Sequence, residues 1–113
     1  MTIRGLLETL ALVLCLTMSA LAAEAPRAFV QHCVSCHASD GSGRKTPALG
    51  QVPDLRSKKI SSLTDDQLYN AIALGDKHQA YAHSFLRLGL SESEIKQIVR
   101  YIRELQASQK SRT

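Results

Sequence analysis

Few of the residues that mark the common classes of small protein are present. There is no tryptophan, and only three tyrosines and two phenylalanines occur in 113 residues. Aromatic and basic residues are nowhere interleaved, which argues against nucleic-acid binding. Methionine stands only at positions 1 and 18, so no thioether donor exists after residue 18. Of three cysteines, Cys15 lies in an N-terminal apolar run, leaving Cys33 and Cys36. Two thiols so close together make no disulfide framework of the kind that staples small exported domains. The apolar run Leu10–Leu16 is too short for the roughly 20 residues of a membrane-spanning helix. There are no internal repeats and no low-complexity linkers.

What the N-terminus does contain is the layout of a secretory signal over residues 1–22. Arg4 gives a positive start, Leu10–Leu16 an apolar centre and Ala20-Leu21-Ala22 a small-residue cleavage site. Glu8 is the one charge out of keeping. Leu14 is too bulky for the small residue that would precede a lipid-bearing Cys15. Cleavage then predicts a mature chain beginning at Ala23, an exported and, in a bacterium, periplasmic protein, and no stable membrane insertion. Residues 23–113 make a single domain with an ordered core over about 25–106. The whole chain has 14 Lys+Arg against 10 Asp+Glu. Arg4 and Glu8 leave together, so the net charge stays at +4. That mild basicity bears on docking, not on fold.

The chemistry is concentrated in Cys33-Val34-Ser35-Cys36-His37. C-x-x-C-H is the attachment signature of c-type haem. Two thiols at that spacing can form thioethers to the two vinyl groups of one porphyrin, and the adjoining imidazole becomes the fifth ligand of the iron. A redox disulfide would expect a βαβ setting, and a structural disulfide leaves His37 without a role. A zinc site from Cys33, Cys36, His78 and His83 is the sharpest alternative. Its gap from Cys36 to His78 is far longer than the roughly 12–15 residues of the familiar finger.

Around the motif the periodicity predicts helices. Pro26 suits a first helical turn, with Phe29, Val30 and Cys33 as the apolar positions that follow. Ser39–Pro47 is a loop dense in turn residues, and Gly50–Asp54 continues it irregularly. Thr64 with Gln67, and Ser91 with Glu94, are capping boxes. Leu63 with Leu68, and Leu90 with Ile95, are their hydrophobic staples. The first of these helices turns Leu68, Ala71 and Ile72 inward and stops at Gly75. The second carries Ile95, Ile98, Val99, Ile102 and Leu105 as a core stripe, with Arg100, Arg103 and Lys110 suiting its C-terminal dipole. His32 is expected to be solvated or to cap. No strand pair is predicted, so the fold class is all-α.

Taken together, Cys33–His37, the Asp40-Gly41-x-Gly43 loop with Pro47, and the helix Leu90–Arg103 resemble a small class I cytochrome c over nearly the whole mature chain. The resemblance implies a helical shell around one covalent haem c, with the N- and C-terminal helices crossing near Phe29 and Tyr101. It implies that His37 donates its second ring N–H to the Pro47 carbonyl. It also exposes a departure, because the family's sixth ligand is usually Met and none remains here. His83, seven residues before Leu90, holds the corresponding place. His78 is the second choice, and an open iron beside Tyr81 or Lys77 the third.

These readings predict an electron carrier rather than an enzyme. With two strong ligands the iron changes oxidation state with little rearrangement and leaves no substrate site. Two imidazoles lower the potential relative to His/Met ligation. A sensor or peroxidase-like protein remains the alternative if the distal site is open, and a zinc-stabilised binding module if no haem is attached. The redox partners are unnamed, and an acidic one could meet Arg44, Lys45, Arg56, Lys58, Lys59, Lys77 and Arg87. An ordinary solvated face accounts for these charges equally well.

Overall fold

The computed structural model describes residues 24–75 and 83–113. The proposed signal, His78, Lys77 and Tyr81 therefore lie outside the described residues. Five helices and one very short antiparallel ladder make up the described part, in agreement with an all-α class.

Pro26 is extended (φ −61°, ψ 144°) and caps α1, Arg27–His32. Proline cannot donate a hydrogen bond, and a helix start asks for no donor there. Cys33 departs only mildly from helical geometry (φ −113°, ψ −35°), so α2, Val34–His37, follows with almost no break. Phe29 and Cys33, four residues apart, both point inward and are buried. Val30 lies a helical step away from that face and is 53% exposed, contrary to its expected core position. Ala28 is buried instead.

The loop after α2 carries the one ladder, β1 (Lys45–Thr46) with β2 (Gly50–Gln51). Each strand has two residues, below any length that alternation in a sequence could reveal. α3, Lys58–Ser61, is capped by Ser57, whose hydroxyl accepts from the Ile60 N–H. α4, Asp65–Ala73, and α5, Glu92–Lys110, begin with the two expected capping boxes, each closed in both directions. Gly75, just past α4, takes φ +76°. α5 runs beyond residue 106 to Lys110.

One core joins these elements. Phe29 and Ile95 are fully buried, and Ile98, Val99, Ile102, Leu68 and Ile72 surround them. Leu105 is only half-buried at the edge. The ring of Phe29 meets Tyr101 edge-on at 4.9 Å between centroids, so α1 packs on α5 as expected. Such a pair contributes about 0.5–1.5 kcal/mol beyond its buried area.

Polar residues complete the packing. Arg103 sends its guanidinium from α5 to the segment before α4, donating to the Leu63 carbonyl, the Ser61 carbonyl (3.4 Å) and Asp65 Oδ1 (2.8 Å). Its Nη1 also donates to Gln106 Oε1 at 2.9 Å, and Gln106, which is buried, donates to the Leu55 carbonyl at 2.9 Å. Arg103 was expected only to suit the helix dipole; it ties α5 to the segment at 61–65. No helix among the described residues is long and apolar enough to cross a membrane.

Candidate functional site

Cys33 is the deepest atom-bearing part of the motif, 7% exposed and within the core. Burial, and to a lesser degree the neighbouring Cys36, pushes its thiol up to about 12. Cys36 and His37 are half-buried, and both cysteines are free thiols. The helical path places the motif: the Cys33 carbonyl accepts from the Cys36 and His37 N–H groups at 3.3 and 2.8 Å.

The loop that follows folds back and closes the end of α2. Gly43 donates to the His37 carbonyl (2.8 Å) and Arg44 to the Cys36 carbonyl (2.9 Å), while Arg44 Nε reaches the Val34 carbonyl at 3.2 Å. The Cys36 and His37 carbonyls at the C-terminal end of α2 are thereby satisfied, and the Val34 carbonyl, which already accepts from the Ala38 N–H, gains a second donor. Gly43 (φ +85°) is required by contact as well as conformation, since a Cβ there would stand 2.2 Å from the Val52 carbonyl oxygen. Ala38 achieves its turn without glycine, at φ 64° and ψ 163°, a strained conformation directly after His37.

Pro47 is exposed in the turn between β1 and β2, where the Leu49 N–H donates to Thr46 Oγ1 at 3.0 Å. The expected hydrogen bond from the His37 ring to the Pro47 carbonyl is not among those between described residues.

His83 is held at the other end of α4. Its Nδ1 lies 3.1 Å from the Ala71 carbonyl oxygen. A carbonyl only accepts, so Nδ1 donates here. The ring of Phe85 stands edge-on to His83 at 4.5 Å and to His32 at 5.8 Å. Buried Phe85 therefore joins the His83 segment to the helix that leads into the motif. His32 is exposed, as anticipated for a residue without a ligand role.

The basic residues divide. Arg44, Lys45, Lys58, Lys59 and Arg87 are exposed. Arg56 is turned back on the protein, with two bonds of 3.0 Å to the Asp54 carboxylate and a longer pair to Asp40 at 3.6 Å.

These residues fit a covalently held haem. Two free thiols and an imidazole stand on one helical turn, against apolar side chains, with a closed loop behind them. The zinc alternative requires His78, and among the described residues no three His, Cys, Asp or Glu side chains are grouped to hold a metal ion. A helical shell with this motif defines the class of small proteins that carry haem c through thioethers.

The chain belongs to the cytochrome c family, whose sequence model matches residues 22–106. It is of the small class I type, and the family carries covalently attached haem c and usually serves as an electron carrier. No curated protein matches the chain.

Proposed function

We propose that this protein is an exported single-electron carrier whose iron is ligated by His37 and His83, with a potential below that of His/Met cytochromes. Haem c supplies an iron that alternates between Fe(III) and Fe(II). Cys33 and Cys36 would hold it through thioethers, and His37 would ligate its iron. The observation that carries the distal assignment is the hydrogen bond from His83 Nδ1 to the Ala71 carbonyl. An imidazole that ligates a metal characteristically gives its other N–H to a carbonyl or carboxylate, which fixes the tautomer and raises the basicity of the ligating nitrogen. The raised basicity favours Fe(III). The lack of methionine after residue 18 removes the competing thioether.

Potentiometric titration of protein matured with haem tests this reading. A midpoint below that of His/Met cytochromes supports it, and one within their range contradicts it. Export is supported by the layout of residues 1–22; intact mass of the exported protein should show Ala23 as the first residue, and a retained Met1 would contradict that.

A redox partner with an acidic face is proposed to dock near the exposed cations Arg44, Lys45, Lys58, Lys59 and Arg87. Its association should slow as salt rises. A rate indifferent to ionic strength would remove the docking idea while leaving the carrier reading intact.

A further inference from the structure

The last three carbonyls of α4 are taken by the segment that contains His83. Ala71 accepts from the His83 ring, and Ile72 from the Phe85 N–H at 3.0 Å. Ala73 accepts twice, from Ser84 Oγ at 3.1 Å and the Leu86 N–H at 3.2 Å. A helix normally leaves such carbonyls to water or to a terminal turn. Here they form a fixed edge on which the segment is seated, with His83 at one end.

Gly75 sets how closely the seat can be approached. It lies against the His83 backbone: a Cβ would be 2.8 Å from the His83 carbonyl oxygen and 3.2 Å from its carbon. These are backbone atoms, so they cannot yield as a flexible side chain would. A larger residue must push His83 away from α4 and its ring away from Ala71. Gly50 has a similar φ of +67° yet nothing within 4 Å of the same position. The two glycines thus separate the cost of conformation from the cost of contact.

We propose that Gly75 and Ser84 are positioning residues for the distal iron ligand, which they serve by seating the His83 segment on the carbonyl end of α4. This rests on the reading of His83 as that ligand. The Ala71 carbonyl holds the ring, and the Ile72 and Ala73 carbonyls hold the residues that follow it, so the aim depends on how closely segment and helix meet. Phe85, edge-on to the same ring and buried, keeps the seated segment in the core. Ligand exchange requires His83 to leave the iron, and the seat resists that departure.

Cyanide binding to the ferric, haem-loaded protein provides the test, together with amide hydrogen exchange at Phe85 and Leu86. Cyanide enters only when the distal position opens. Gly75→Ala should speed its association about tenfold and weaken protection of both amides, whereas Gly50→Ala should leave the cyanide rate unchanged. Ser84→Ala should speed association about threefold, and Ser84→Thr should restore the original rate. The serine pair decides the matter if Gly75→Ala does not fold. A merely structural role would lower thermal stability without moving the cyanide rate. If His83→Ala binds cyanide rapidly while Gly75→Ala and Ser84→Ala match the parent, the positioning role is overturned and the ligand assignment stands. If His83→Ala also matches the parent, the ligand assignment fails and this inference with it.

Discussion

Arg103 Nε donates to Asp65 Oδ1 at 2.8 Å, while the same guanidinium reaches the Leu63 carbonyl. One side chain thus caps the approach to α4 and fastens it to α5. The ion pair itself is the lesser part, because the Asp65 carboxylate is 75% exposed and such pairs contribute about 0–1 kcal/mol. The half-buried carbonyls and Gln106 lose more if the guanidinium goes. Arg103→Ala should cost about 2–3 kcal/mol in denaturant unfolding of the haem protein, and Asp65→Asn less than about 1 kcal/mol. Equal losses would show that the ion pair, not the carbonyl contacts, carries the link.

Ala38 follows His37 at φ 64° and ψ 163°, a region that only glycine enters freely. Ala38→Gly should therefore stabilise the protein by about 1 kcal/mol, raising Tm by about 4–8 °C for a domain of this size. Thermal melts of the haem-loaded protein check this, and a lowered Tm would contradict the strain.

Acid should weaken the fold through Asp54 and Asp40. The hydrogen bond from the Arg56 side chain holds the Asp54 carboxyl below its ordinary value, and bonds from Ser42, side chain first, do the same for Asp40. A carboxyl depressed on folding stabilises the native state above its unfolded value of 3.8. That contribution is lost as pH falls through the lower, folded value. Asp54→Asn should flatten the loss of stability below about pH 4, measured as denaturant midpoint against pH. An unchanged acid slope would show that the Arg56 pair does not contribute.

Covalent attachment predicts a graded response in the motif. Cys33→Ala or Cys36→Ala should each retain haem through one thioether, and the double variant should release all of it to acid-acetone. Haem retained by the double variant would contradict thioether attachment.

Much of this fold was legible because its signals are local. Thr64 with Gln67 and Ser91 with Glu94 are spaced to close their capping boxes within one turn, and the Ile95–Ile102 stripe repeats at the helical period. Cys33–His37 is equally local, which is why the attachment site could be read from five residues. Arg103 and Gln106 were not legible, since their acceptors at Ser61, Leu63 and Leu55 come from distant parts of the chain. Nothing near Val30 distinguished it from Phe29; only the direction of a neighbouring helix decides which face is covered. The place of His83 before the last helix was visible, but its bond to Ala71, the role of Ser84 and the closeness of Gly75 to its backbone required the chain to fold back on α4.

The ligand set of the ferric iron is the most direct test of the account, read from the absorption spectra of the parent, His83→Ala and His78→Ala. The parent should be low-spin and should lack the weak far-red band of a thioether–iron bond. His83→Ala should become high-spin and, once reduced, bind carbon monoxide, while His78→Ala should match the parent. A His83→Ala protein that stays low-spin would contradict the account, and a high-spin His78→Ala beside it would transfer the distal role to His78.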